Sequence, residues 1–336
     1  MPTNFEPQSK LLRTLVLSEQ KQAAWNGALA EAALTRVQRF DGSATLDFNP
    51  GRRSDKEYSG KGSWFATNGQ ITDIELKLSG LKSELTPWLA GWLFAFAMGK
   101  ETVTGAASPY THVCTFDQST RQAVPTSVYL KDTDDLAYTL MDMALNDFTL
   151  TITDKGAVMA DYNLVGTGRY TLGDLTDAPT VPTEDYLLGS DADYLWGNVG
   201  AATSILGRHT STTFKLDHQL IPHRATGIGL DAAFIRKGDP KFSFQSTIAS
   251  KDTDDVFTRM INNTKTAIRI AINSGAAVQL TLDVPAVNLK TTKMGFDGDM
   301  TIWNVEFDET TCYQAAGVQP VTATIINDVA AYLVTA

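Results

Sequence analysis

Cysteine is nearly absent from this chain. Cys114 and Cys312 are the only two, far apart in sequence. No CxxC and no Cys/His cluster with zinc-ligand spacing occurs. Two lone cysteines fit a reducing compartment, where they serve as small apolar side chains. Histidine is equally sparse, at His112, His209, His218 and His223. His218 and His223 are five apart, not the i, i+4 of a zinc-binding helix, and no HExxH exists. A solvated loop beside Pro222 is the simpler reading of that pair. GxSxG is missing, so no nucleophile elbow is supported. The phosphate-binding GxxxxGK[ST] is missing too, and Gly166-Thr-Gly168 and Gly227-Ile-Gly229 lack a third glycine. No apolar run is long enough for a bilayer: Pro87 to Met98 has 12 residues, against about 20 for a spanning helix. The first residues lack the basic start and apolar core of a signal peptide. The expectation is a soluble chain made in the cytoplasm, with no membrane contact and no cofactor or metal.

A basic patch is also missing. The 336 residues carry 28 Lys and Arg against 38 Asp and Glu, a net charge of −10. Before Gly168 there are 15 basic and 19 acidic residues, and after it 13 and 19. Neither half is built for tight phosphate binding. Such a length suggests about two domains, and 43% apolar residues supply a core.

What is present is mostly strand pattern. Trp25, Leu29, Ala33, Val37 and Phe40 recur at helical steps after Ser18, which predicts an N-terminal helix capped by Ser18. Ala44–Phe48 and Ile71–Leu78 alternate, as half-wet strands do. Between them, Asn49 to Gly62 (NPGRRSDKEYSGKG) reads as a long exposed charged loop. Leu85 to Met98 predicts an apolar helix, with Thr86 as N-cap, Pro87 at its first turn and Gly99 at its stop. Residues 99–125 read as loop-rich. Strands resume at Ser127–Leu130, Asp147–Ile152 and Val158–Val165. Thr171 to Trp196 holds two prolines and six carboxylates, with no basic residue between Arg169 and Arg208, and so reads as a linker. Strands follow at Thr213–Asp217, Lys241–Ile248, Ala267–Ile272, Val278–Val284 and Met300–Phe307. Asp252 to Asn263 reads as a short helix with Val256, Phe257, Met260 and Ile261 on its apolar face. The pentapeptide Lys-Asp-Thr-Asp-Asp occurs at 131–135 and 251–255. Its carboxylates suit Ca²⁺, but an EF-hand's glycine and distal Glu are missing. Asp252 or Asp254 serves better as a helix N-cap.

The halves share an order of elements. Ala144-Leu-Asn146 matches Ala286-Val-Asn288, and Tyr162-Asn-Leu-Val165 matches Trp303-Asn-Val-Glu306, at offsets of 142 and 141 residues. An internal duplication is the expectation. Its domains are an N-terminal segment with helix (1–42), a first β domain (43–168), an acidic linker (169–205) and a second β domain with a C-terminal extension (206–336). Like domains in one chain can occupy equivalent places in a ring, pairing their sheet edges with neighbours.

These segments carry a resemblance. Leu11 to Phe40, with EQKQAAWNGALAEAAL at 19–34, is one. Others are Ser43 to Gly62, the apolar helix with Ser108-Pro-Tyr-Thr-His112 and Cys114-Thr-Phe116 after it, and the hairpin ending Asn163-Leu-Val-Gly166. Together they resemble the major tail tube proteins of long-tailed (siphovirus-type) bacteriophages, in a two-domain tandem form. The resemblance implies a mainly β protein. It has two tandem β-sandwich or barrel domains, each with a flanking short helix. It implies a non-enzymatic subunit of the virion tail, assembled in the host cytoplasm, whose stacked rings form a conduit for DNA. Trimeric pseudo-hexameric rings are favoured, and hexamers stay open. Partners implied are further copies, tail tip or initiator and terminator proteins, and a tape measure protein and DNA in the lumen without sequence-specific binding. The acidic balance suits a lumen that repels DNA. The loop 49–62 would bridge rings through Arg52, Arg53, Asp55, Lys56 and Glu57, a solvated hairpin tip being the plainer alternative. The N-terminal segment and Val321–Ala336 dock either on a neighbour or on their own domain. Two other readings remain: another virion β-protein such as a decoration or tail terminator, or a carbohydrate-binding module using Trp64, Trp196 and Trp303.

Overall fold

A computed structural model describes residues 14–27, 31–41, 44–54, 69–133, 136–205, 207–274, 277–308, 312 and 318–334. The chain is mainly β and antiparallel. Before the first helix come β1 (Thr14–Leu17), β2 (Arg36–Gln38), β3 (Thr45–Ser54) and β4 (Gly69–Glu84), then α1 (Pro87–Met98). Next are β5 (Gly99–Thr104), β6 (Tyr110–Phe116), β7 (Thr126–Thr133), β8 (Leu136–Thr153), β9 (Met159–Gly166) and β10 (Tyr170–Leu172). Then follow β11 (Ala192–Asn198), β12 (Ala201–Ser204), β13 (His209–Asp217), β14 (Ile221–His223), β15 (Phe234–Arg236) and β16 (Lys241–Ala249). After α2 (Val256–Ile261) come β17 (Thr266–Ser274), β18 (Ala277–Val287), β19 (Leu289–Asp297), β20 (Met300–Phe307) and β21 (Thr322–Asn327).

Two sheets sandwich α1. In the larger one, eight strands lie side by side in the order β3-β4-β9-β8-β13-β16-β20-β19. Every pairing along that path is antiparallel. Strand β8 is 18 residues long, and its first half also pairs β7 and β10, while β7 carries β1 and then β2. The second sheet runs β12-β11-β17-β18-β21-β6-β5. Its strand β21 comes from the end of the described chain and joins β18 to β6.

Helix α1 is apolar all round and accordingly buried all round, with every residue from Trp88 to Met98 inside. Its ends behave as its sequence specifies. Thr86 Oγ1 accepts a hydrogen bond from the Leu89 N–H, and Gly99 closes the helix at φ +83°. Phe94 packs edge-on against Phe148 of β8 at 5.2 Å and tilted against Phe214 of β13 at 6.1 Å. The helix therefore lies across the β8–β13 seam, where the first and second halves of the chain meet in one sheet.

Several expectations are corrected. No helix spans 18–40 among the described residues: a short 3₁₀ turn covers Glu31–Ala33, and Arg36–Gln38 is strand. The polar residues of that stretch are spent on tertiary anchors. Gln22 Nε2 (2.7 Å) and the Asn26 N–H (3.0 Å) donate to the buried Asp142 carboxylate, and Asn26 adopts φ +58°. Residues 99–125 hold the β5–β6 hairpin rather than loop alone. The acidic stretch contains β10 and β11, and β11 pairs with β17 along its whole length. In α2, Val256 is buried, but Phe257 and Ile261 are 55% and 63% exposed. The residue before α2 is Asp255, without a side-chain cap bond, while Asp254 accepts from the Lys251 N–H and pairs with Arg208. The C-terminal stretch packs on its own chain.

Candidate assembly surfaces

The first surface is a rim at the Gly166 end of β9. The stretch read as loop from Asn49 begins as strand: β3 continues to Ser54, with Arg52 opposite Ile71 and Arg53 opposite Gln70. Arg52 is exposed. Asp55, Lys56 and Glu57 lie outside the described residues, as does Trp64. The hairpin does not stand alone. The insertion between β13 and β16, carrying β14 and β15, braces it. Arg224 pairs with Asp73 at 2.8 Å, and the Ile74 N–H donates to the Leu230 carbonyl at 3.2 Å. This second rim element, with Ile221 61% exposed at its edge, was not anticipated. The only signal for it was the break in strand pattern between Asp217 and Lys241.

The second surface is the pair of sheet edges. Among the described residues, strand β3 pairs only with β4, and β19 only with β20. Each leaves a row of backbone donors and acceptors open. Beside the β19 edge, Met294 and Phe296 are 63% and 76% exposed, adjoining the exposed Phe257 and Ile261 of α2. At the β8–β13 seam the corresponding core-facing positions are closed: Phe148 lies opposite Leu216 and Leu150 opposite Phe214, all buried.

The third surface is the larger sheet's solvent face, opposite α1. On β8, β13 and β16 it presents Thr149, Thr151, Thr153, Ser211, Thr213 and Thr247, which alternate with buried apolar residues. Its charges are interleaved, with Lys77 Nζ 3.1 Å from Glu75 and Lys290 Nζ 2.7 Å from Glu306. A hydrogen bond from Lys290 holds the Glu306 carboxyl below the usual carboxylate range, against a smaller opposing effect of burial.

His218 is buried, not solvated, and burial pushes its pKa down to about 4. It lines a cavity beside Lys237, whose ammonium is likewise depressed by burial. His209 is lowered to about 4 by burial and stacks on Tyr194 at 4.6 Å. Among the described residues no cluster of three His, Cys, Asp or Glu could hold a metal ion. None of the described helices is long and apolar enough to cross a membrane. Trp196 is buried, and Trp303 packs against the core, so these two cannot form a sugar platform together.

Open edges, an apolar flank beside one of them and a hydroxyl-rich face describe a structural β-protein whose surfaces suit contact with copies of itself. The phage tail tube protein family matches residues 72–310, most of the chain, and the chain belongs to that family. It is a non-enzymatic structural protein. Membership implies self-assembly into a tube and a place in the virion tail. No curated protein matches the chain.

Proposed function

We propose that the chain is a tandem tail tube subunit of siphovirus type, and that it closes rings by pairing β19 with β3 of the next copy. The observation that carries this is the order of the eight-strand path. It reads as two sets of four, β3-β4-β9-β8 and β13-β16-β20-β19. Each set is a hairpin followed by the returning strands of a second hairpin, and α1 and α2 hold corresponding places between them. The last strand of the first set pairs with the first strand of the second. The same step taken once more joins β19 to a β3 of another copy, again antiparallel. Met294 and Phe296 then meet Phe48, whose ring is only half-buried in one chain. A heterologous contact of this kind closes into a ring when its rotation allows.

Three chains would give a barrel of roughly 24 strands, a trimer with pseudo-sixfold symmetry. At about 4.8 Å per strand its backbone diameter is about 37 Å. Side chains about 5 Å deep on each wall leave a bore of about 27 Å, wide enough for a DNA duplex. The second sheet and α1 lie outside this barrel, because the inside must stay open. Rings stack through the rim, by way of the expected contact residues Arg52, Arg53, Asp55, Lys56 and Glu57 and of the β14–β15 insertion. Tail tip or initiator, terminator and tape measure proteins are the remaining partners, and assembly takes place in the host cytoplasm.

Negative-stain electron microscopy of the tag-free protein, co-expressed with the tail-tip proteins of its genome, tests this. Hollow tubes with three chains per ring are expected. A Met294→Lys/Phe296→Lys variant should fold, because both side chains are exposed in the single chain, yet form no rings. Six chains per ring, or normal tubes from that variant, would refute the proposed closure.

A further inference from the structure

The rim that carries the β14–β15 insertion holds a buried charge with no counter-ion. We propose that the cavity beside Lys237 is a socket for a carboxylate, and that its occupant is the Asp297-Gly298-Asp299 turn of a second copy, in the adjoining ring. This deepens the tube reading and rests on it for the presence of that ring.

Lys237 is fixed before any partner arrives. Its backbone N–H donates to the Arg121 carbonyl at 2.7 Å, and the Gly238 N–H donates to the His218 carbonyl at 2.9 Å. The side chain lies against the C-terminal end of α1, where a Cβ on Gly99 would stand 2.7 Å from Lys237 Nζ. Only 8% of Lys237 is exposed, yet among the described residues its ammonium has no hydrogen bond and no ion pair. Asp117, the carboxylate that acts on it, is already engaged: it accepts from the Ser119 N–H at 2.9 Å and from the Ser119 hydroxyl at 2.6 Å. His218 stands in the same wall, 2% exposed. Its ring approaches the Ala97 carbonyl, but neither nitrogen completes a hydrogen bond among the described residues. The cavity measures about 430 Å³, room for a side chain and several waters at ~30 Å³ each. Met98, Phe116 and Phe242 give it an apolar wall, and Arg121 and Asp239 stand exposed at its mouth, paired at 3.1 Å. A buried ammonium without a counter-ion is costly, and a carboxylate brought to it makes a charge-assisted hydrogen bond in a site of low dielectric.

The opposite end of the larger sheet offers that carboxylate. There β19 turns into β20 through Asp297, Gly298 and Asp299, all exposed, with Gly298 at φ +56°. Among the described residues neither carboxylate has a hydrogen bond or an ion pair. The β8–β9 turn at the same end fits less well. It carries Lys155 beside Asp154, and the chain at 188–189 covers it, the Gly189 N–H donating to the Gly156 carbonyl at 3.1 Å. Socket and turn cannot meet within one chain. Strand β16 runs between them, and its nine residues at about 3.3 Å each hold them about 30 Å apart. The contact is therefore heterologous, which stacks rings head to tail and leaves a tube with open sockets at one end and bare turns at the other. Each chain brings one socket and one turn, so every socket between two rings is filled.

The test compares the full chain before assembly with tubes formed on co-expression with the tail-tip proteins. Lys237→Met removes the charge and keeps the bulk. Before assembly it should melt no lower than the wild type, because nothing in its own chain pairs with the ammonium. In assembly its tube yield should fall at least tenfold, with single rings left in negative stain. Asp297→Asn/Asp299→Asn should fold as the wild type does and lose tubes to the same extent. Combining the two changes should cost no more than either alone, as for two halves of one contact. In wild-type tubes a water-soluble carbodiimide should join Lys237 to Asp297 or Asp299 as an amide, the reagent taking up the water, and mass spectrometry of the digest reads the link. The chain before assembly should not give it. A lower melting point for Lys237→Met, a normal tube yield from either variant, or no such link in wild-type tubes would overturn the socket and leave the tube reading standing. Wild-type protein that forms no tubes would overturn both.

Discussion

Gly91 and Tyr332 offer a sharp test of how the end of the chain is fixed. Tyr332 is fully buried against α1, where its hydroxyl donates to the Trp88 carbonyl at 2.9 Å and accepts from Asn327 Nδ2 at 2.7 Å. Its backbone N–H and that of Leu333 donate to the Glu101 carboxylate at 3.0 and 2.8 Å. Glu101 is in turn 2.7 Å from His112 Nδ1. The ring fits only because residue 91 has no side chain. A Cβ there would stand 2.5 Å from the Tyr332 hydroxyl and 2.6 Å from a ring carbon. Tyr332→Phe should cost about 1–2 kcal/mol, a hydroxyl with two partners inside the protein. Tyr332→Ala should cost about 3–5 kcal/mol, transfer plus cavity. Gly91→Ala gains helix propensity of about 1 kcal/mol, but expels the ring, and should be destabilising by about 2 kcal/mol or more, in the range of overpacked cores. In the Tyr332→Ala background the same Gly91→Ala change has nothing to strike and should become neutral or stabilising. Urea denaturation of the four proteins measures this cycle. If Gly91→Ala costs as much without Tyr332 as with it, the notch is not what positions the C-terminal stretch.

Two further outcomes are expected. Asp142 is fully buried, and besides Gln22 and Asn26 it accepts from Arg169 Nη1 at 2.7 Å. Asp142→Ala leaves that guanidinium and the Gln22 amide without their partner and should lose about 3–5 kcal/mol, with early proteolysis near residues 22–27; an unchanged denaturation midpoint would contradict the anchor. His209 and His218 have folded pKa values depressed by burial to about 4, so the folded state binds fewer protons than the unfolded one between pH 4 and 6.5. Their contribution is therefore fully present above pH 6.5 and lost as pH falls to 4, by up to about 1.4 kcal/mol per pH unit for each. His209→Gln and His218→Gln should each flatten that slope in pH-dependent melts, and an unaltered slope in both would refute it.

Local chemistry was legible in the sequence wherever one element carries its own signals. Thr86, Pro87 and Gly99 framed α1, and its unbroken apolar run marked it as buried on every side. Alternation placed the interiors of β3, β4, β9, β13, β16 and β20 because each has one core face and one wet face. The family resemblance was legible too. The helix expected at 18–40 failed because periodicity counts only apolar residues, whereas Gln22 and Asn26 are claimed by a carboxylate some 120 residues away. The acidic stretch looked like a linker because β11 is defined by its partner β17, not by its own composition. The same limit hid the β14–β15 insertion and the place of β21 between β18 and β6, since pairing across long separations leaves no local mark. Net charge was read correctly, but only the tertiary structure decided where it lies. Each strand sends alternate side chains to opposite faces, and strand order then sets lysines beside carboxylates on one of them.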